Sequence, residues 1–257
     1  MKFKTYVISL KDELLRRQNI KNQLNDLCIN FDFFDAIDLR NSNNKAHYDN
    51  YSYNLQRKLT NGEIGCALSH INVYKKMLSC EYDWSLIIED DALLNNVTNK
   101  KIEHLTLLAS QCNADVVILG YSKLSPSNTQ KFYIKEPIKN MVTNEDGYTL
   151  GKPWKNWTCG TVSYLMHRNG AQKIINHFVN SKEKIETVAD DWLFFEKKCG
   201  LNILHCRPLI IYEDYKNHIS SIEQERSIIS KKNISILDPI RVFRGLLRKL
   251  IMVIIKK

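Results

Sequence analysis

Apolar positions along the chain fall into two patterns that succeed one another. Short unbroken apolar runs occur at residues 2–10 (Tyr6, Val7, Ile8, Leu10), 84–93 (Leu86, Ile87, Ile88) and 114–120 (Val116, Val117, Ile118, Leu119). Runs of this length suit strands covered on both faces. Residues 31–37, 160–166 and 202–212 are further expected strands. Between them, Ile20, Leu24 and Leu27 keep helical spacing, as do Ile64, Ala67, Leu68, Ile71, Tyr74 and Leu78, and residues 98–111 and 168–178 are also expected to be helical. Asp12 is placed to cap the first helix, and Thr60 with Glu63 forms a capping box for the clearest one. Residues 38–59 read as a long polar loop, 121–153 as an excursion of loops and short strands, and 219–236 as polar and poorly periodic. Strands alternating with helices predict an α/β fold.

The run at Leu86–Ile88 stops abruptly at Glu89, Asp90 and Asp91. Adjacent carboxylates at an apolar strand end repel one another unless water or a cation neutralises them, and an oxygen-preferring divalent ion is the natural partner. In open α/β sheets ligands bind beyond the carboxyl ends of strands. Arg16 and Arg17 lie near the first strand-to-helix junction, where a phosphate or a uridine would sit. A second acidic pair, Asp190-Asp191, follows Thr187; with Thr187 as N-cap, both acids fall in a first helical turn, which the helix dipole favours. Trp154 and Trp157 fit either core packing or stacking on a sugar ring. No Gly-x-Gly-x-x-Gly or P-loop motif occurs, which disfavours a dinucleotide enzyme or a P-loop kinase.

Composition narrows the classes. The 257 residues allow one large domain or two small ones, and 44% apolar against 25% charged residues is a globular balance. The seven cysteines are odd in number and never in a C-x-x-C pair, so reduced thiols in a cytoplasm are expected rather than a disulfide framework or a zinc site. Asn-x-Ser/Thr matches at Asn50, Asn96, Asn156 and Asn233 carry little weight in such a compartment. Neither a secretory signal nor a bilayer-spanning run is visible. Net charge is +9, and the stretch from Asp238 to Lys257, with six bases against one acid, supplies +5 of it. With Asp238 capping and Pro239 at the first position, Ile240, Phe243, Leu247, Leu250 and Ile254 fall on one side of a helix, and Arg241, Arg244, Arg248 and Lys249 mostly on the other. That pattern suits the surface of an anionic leaflet, or else packing on the protein's own core or a twin subunit. The bases concentrate in this tail without a nucleic-acid motif, so no nucleic-acid partner is expected.

Four segments in order carry a family resemblance: Gly62 to His70, Ile87 to Ala92, Gly160-Thr161 with Tyr164 and His167 to Ala171, and Asp190-Asp191-Trp192. Together they resemble glycosyltransferase family 25, over roughly residues 5–208. The resemblance implies a GT-A type fold with a Rossmann-like mixed sheet flanked by helices, a UDP-sugar donor (UDP-galactose, or UDP-glucose as the alternative), Mn²⁺ or Mg²⁺, and inversion at the anomeric carbon. It further implies a lipopolysaccharide, lipooligosaccharide or O-antigen glycan as acceptor, at the cytoplasmic face of a membrane. Glu89-Asp90-Asp91 corresponds to the fold's Asp-x-Asp motif: Asp91 and Glu89 on the metal, with a late histidine, His218 or His205, and Glu89 or Asp90 towards the ribose. Arg16, Arg17, Ser69 and His70 are expected on the donor side, and Asp190 or Asp191 as the base that takes the acceptor hydroxyl's proton. Residues 1–236 then form the catalytic domain and 237–257 a basic amphipathic helix. A non-catalytic nucleotide-sugar-binding protein is the alternative, disfavoured because both acidic clusters are intact.

Overall fold

The computed structural model describes residues 3–40, 59–95, 97–214 and 238–254. Expectations for residues 41–58 and 215–237, His218 among them, lie outside these. In chain order the elements are β1 (Phe3–Ser9), α1 (Leu14–Asp26), β2 (Asp32–Asp35), α2 (Asn61–Leu78), β3 (Trp84–Glu89), β4 (Ala92–Leu93), α3 (Asn99–Gln111) and β5 (Val116–Ile118). Then follow α4 (Thr129–Lys135), β6 (Ile138–Thr143), β7 (Thr149–Pro153), β8 (Ser163–His167), α5 (Arg168–Asn180), α6 (Trp192–Cys199), β9 (Ile203–Arg207), β10 (Tyr212–Glu213) and α7 (Asp238–Ile254).

Eight strands form one sheet in the order β2-β1-β3-β8-β5-β9-β7-β6. β1 runs parallel to β2 and β3, and β5 to β9, whereas β8 is antiparallel to both its neighbours. This is the mixed, helix-flanked α/β sheet expected from the sequence. Successive side chains of a strand point to opposite faces, and both faces are covered: Leu86 and Ile88 enter one apolar cluster, Ile87 the other. That double burial is why β3 reads as an unbroken apolar run rather than an alternating one.

Helix boundaries follow their caps. Thr60 Oγ1 accepts from the Glu63 N–H (3.2 Å) and Glu63 Oε2 accepts from the Thr60 N–H (2.9 Å), the reciprocal capping box expected. Asp12, in contrast, does not cap α1: its carbonyl accepts from Leu14 N–H, and Glu13 occupies the N-cap without a side-chain bond. The excursion at 121–153 holds a helix, α4, besides the β6–β7 hairpin; Phe132 packs on Tyr121 and Trp157, giving this short helix its inner face. The expected last strand divides in two. β9 ends before Pro208, which has no N–H for a ladder, and β10 pairs instead with β4 in a separate ribbon. This division places Glu213 next to the acidic strand end.

The C-terminal helix packs on α4 and β6. A Cβ on Gly245 would lie 2.1 Å from Ile134 O, so the two backbones meet there without an intervening side chain. Arg244 and Arg248 donate to opposite oxygens of Glu136, at 2.8 and 3.0 Å. Two of the four bases expected opposite the apolar stripe are thus turned towards the body. The apolar stripe stays outside: Ile240, Phe243, Leu246, Leu247, Leu250, Val253 and Ile254 are between 49% and 78% exposed.

Candidate active site

A cleft opens at the carboxyl ends of β1, β2 and β3 and is lined by Ser9, Arg16, Asp38, Arg40, Cys66 and the acidic triplet. The three acids point to three different sets of partners. Asp90 is taken up by the scaffold, accepting from Ser9 Oγ at 2.6 Å and from Arg16 Nη1 at 3.2 Å. Burial raises its carboxyl above the ordinary range, and the Ser9 and Arg16 bonds only partly offset this. Glu89 turns the other way and accepts from Thr161 Oγ1 at 2.5 Å, with His70 Nε2 at 3.3 Å. His70 Nδ1 is in turn 2.6 Å from the Tyr164 hydroxyl, itself 2.7 Å from that of Tyr74. Burial would raise Glu89, but the His70 and Thr161 hydrogen bonds and the Arg16 charge outweigh it and keep this carboxyl ionised.

Asp91 differs from both. Its Oδ1 is buried without a hydrogen-bond partner, and its carboxyl is held well above the ordinary range by burial and by the charges of Glu89, Glu213 and Asp90. An uncompensated buried carboxylate oxygen among three other acids is costly. Asp91, with the Glu89 and Glu213 charges acting on it, offers hard, anionic oxygens of the kind Mn²⁺ or Mg²⁺ takes, although Glu213 Oε2 also accepts from Lys123 N–H, so the residue types present fit a divalent cation. Glu213 was not visible as part of this group in the sequence, since its place depends on the β4–β10 pairing. A softer set lies beside it: donor atoms of Cys66, His70 and Glu89 all fall within 4.8 Å of one another.

The basic residues separate. Arg16 lines the cleft beside Asp90 and Asp91, at 3.2 and 3.9 Å. Arg17 faces the scaffold instead, donating to the Ser9 and Leu10 carbonyls (2.9 and 3.0 Å) and pairing with Asp35 while its guanidinium covers Phe33. Arg40, not singled out in the sequence, reaches the cleft and forks onto Asp38 at 2.7 and 3.0 Å, a pairing that lowers the Asp38 carboxyl. Ser69 lines the cleft, but its hydroxyl donates to Gly65 O and accepts from Ile37 N–H, so it fastens α2 to the chain after β2. His205 is sealed in the core: its ring nitrogens meet Tyr121 Oη (2.7 Å) and Asn156 Oδ1 (2.9 Å), and burial pushes its pKa down to about 3. It is therefore neutral, with both nitrogens engaged, and is not free to bind a cation.

The second acidic pair meets the first through two residues. Gly160 N–H donates to Asp190 Oδ2 at 2.8 Å, while the neighbouring Thr161 hydroxyl holds Glu89. Gly160 has φ +84°, and a Cβ there would lie 1.8 Å from Ser122 Oγ, so only glycine makes this turn. Asp191, not Thr187, is the N-cap of α6: its Oδ1 accepts from Phe194 N–H (3.1 Å) and its Oδ2 from Thr187 Oγ1 (2.7 Å). A turn closed by Asp191 N–H on Val188 O and a bridge from Asp191 to Thr158 hold the segment before Trp192 out of the helix. Trp157 stacks on His205 (4.9 Å, 21°) and stays half-buried, whereas Trp154 is exposed.

Residues 2–193 match the family described as "Glycosyltransferase family 25 (LPS biosynthesis protein)". The chain is 26% identical over 231 residues to the human procollagen galactosyltransferase 2, covering 80% of this chain and 34% of that one. It is 27% identical over 187 residues to procollagen galactosyltransferase 1-B of Xenopus laevis, covering 66% of this chain and 28% of that one. It therefore spans about a third of the length of these two relatives. To the lipooligosaccharide biosynthesis protein lic2B of Haemophilus influenzae it is 25% identical over 197 residues, covering 74% and 68%.

Proposed function

Given that this chain belongs to glycosyltransferase family 25 and is a glycosyltransferase, we propose that it moves a hexose, galactose from UDP-galactose first, onto a lipopolysaccharide-type glycan with inversion at the anomeric carbon. The observation that carries this reading is the Gly160-Thr161 link, which holds Asp190 and Glu89 together although a hundred residues separate them.

The diphosphate of the donor is assigned to the cleft at the ends of β1 and β3, with Arg16 and Arg40 facing its charge. Asp91 and Glu89 would hold Mn²⁺ or Mg²⁺, with Glu213 beside them and His218 a further candidate outside the described residues. When bound, the cation supplies positive charge that stabilises the departing diphosphate. His70, with Tyr164 and Tyr74 behind it, fixes the Glu89 carboxylate in place. We assign the base to Asp190, which Gly160 N–H holds next to the Thr161–Glu89 bond, rather than to Asp191, whose Oδ1 caps α6 and whose Oδ2 accepts from the Thr187 hydroxyl. In the transfer the acceptor hydroxyl oxygen forms the new bond to the anomeric carbon, the bond to UDP breaks, and the hydroxyl proton passes to Asp190. Release of UDP from UDP-galactose, measured with Mn²⁺ and with EDTA, tests this; UDP-glucose in parallel decides the sugar. No Mn²⁺-dependent UDP release from either donor, with acceptor present, would refute it.

Residues 1–236 are read as the catalytic unit and 237–257 as its membrane-docking helix. No described helix is long and apolar enough to cross a membrane. The exposed stripe on α7, flanked by Arg241 and Lys249, suits the interface of an anionic leaflet, where each base near the surface contributes about 1 kcal/mol. Replacing Phe243 and Leu250 together by Glu is expected to reduce flotation with anionic liposomes by about tenfold or more, with UDP affinity unchanged. Flotation equal to that of the wild type would show that the stripe does not face lipid.

A further inference from the structure

The C-terminal helix does more than rest on the body. Between it, α4 and the start of α6 lies an open groove lined by Lys155, Trp157, Thr158, Asp191, Arg244 and Arg248, with Glu136 in its wall. Its walls differ in charge. The start of α6 contributes Asp191, the chain neighbour of Asp190 and bridged to Thr158. From α7, Arg244 and Arg248 share a single carboxylate, Glu136, which neutralises only one of the two guanidinium charges. Lys155, exposed, adds a further positive charge to the lining. Trp157 is a half-buried aromatic in the same wall, one ring face held by His205.

A sugar-binding groove needs an aromatic platform and a few oriented polar groups, and an excess of guanidinium and ammonium groups selects an anion. We propose that this groove is the acceptor site and that it takes a glycan carrying a phosphate or carboxylate group. The anion meets Lys155, Arg244 and Arg248, and the reacting hydroxyl is held towards Asp191 and its chain neighbour Asp190. The proposal rests on the transferase reading above. It also gives α7 two jobs on two faces: its inner face closes the acceptor groove while its outer stripe meets the lipid that carries the acceptor. Acceptor selection then depends on a segment beyond the region that matches the family, which ends at residue 193.

The test uses the full chain saturated with UDP and, as probe, a deacylated lipooligosaccharide oligosaccharide in three forms: intact, dephosphorylated and carboxyl-reduced. Binding is measured by calorimetry for the wild type and for Lys155→Glu and Lys155→Gln; Lys155 is exposed, so these changes leave the core intact. Removing the recognised anion is expected to weaken wild-type binding about tenfold, and whichever treatment does so names the anion. Lys155→Glu is expected to weaken binding of the intact form by a similar factor, with Lys155→Gln between it and the wild type, and neither variant alters UDP affinity. If the wild type binds UDP but holds all three forms equally, or if Lys155→Glu binds the intact form as the wild type does, the groove is not the anionic acceptor site. A wild type that fails to bind UDP instead overturns the donor reading beneath it.

Discussion

Asp91→Asn is expected to reduce Mn²⁺-dependent transfer by about 10³ or more and, in the same protein, to raise the thermal stability of the metal-free chain. Both effects come from one carboxylate. Burial first, then Glu89, Glu213 and Asp90, hold the Asp91 carboxyl well above its ordinary value, and its Oδ1 has no hydrogen-bond partner. A carboxyl whose folded pKa is raised keeps a proton that the unfolded chain has already lost. Its contribution is nil below the unfolded value of about 4 and grows more destabilising as pH rises towards the folded value. Asparagine carries no charge at any pH. In EDTA, the Tm of Asp91→Asn should therefore exceed that of the wild type, and the gap should widen from pH 5 to pH 8. Added Mn²⁺ should raise the Tm of the wild type and leave that of the variant nearly unchanged. A variant that is less stable than the wild type in EDTA at pH 8, or that keeps the full Mn²⁺ shift, would falsify the assignment of Asp91 to the cation.

Asp190→Asn is expected to lower kcat by about 10² to 10⁴, the usual contribution of a general base, while UDP affinity stays within about twofold. The substitution is nearly isosteric, and the new amide oxygen can still accept from Gly160 N–H, so the turn at Gly160 and the Thr161 bond to Glu89 are retained. Asp191→Asn should behave differently. Its amide oxygen can still cap α6, and only the acceptor for the Thr187 hydroxyl is lost, so the change costs about 1 kcal/mol of stability at most, with a smaller effect on turnover. Donor affinity by calorimetry, kcat by UDP release and Tm by scanning fluorimetry separate the two residues. If Asp191→Asn removes turnover and Asp190→Asn spares it, the roles are reversed; if both variants turn over normally, neither acid is the base.

Features that depend on near neighbours in the chain could be read from the residues alone. β3 announces itself because both its faces are buried, α2 because Thr60 and Glu63 cap each other three residues apart, and the α7 stripe because its apolar positions recur at helical spacing. The acidic triplet could be placed at a strand end for the same reason, and the ordered motifs pointed to the family that residues 2–193 match.

What the residues alone could not show is where each side chain points once distant segments meet. Arg16 and Arg17 are adjacent and chemically alike, but along a helix consecutive residues diverge by about 100°, so one reaches the cleft and the other Phe33 and Asp35. Glu213 joins Asp91 only because Pro208 ends β9 and releases the chain to pair with β4. His205 lies on a strand whose neighbours bury it between Tyr121 and Asn156. Asp190 and Asp191 differ in their partners because Gly160, thirty residues away, reaches one of them while the first turn of α6 engages the other. Local periodicity determines which segments become strands and helices; the directions of the carboxylates depend on non-local contacts, which only the packed tertiary structure decides.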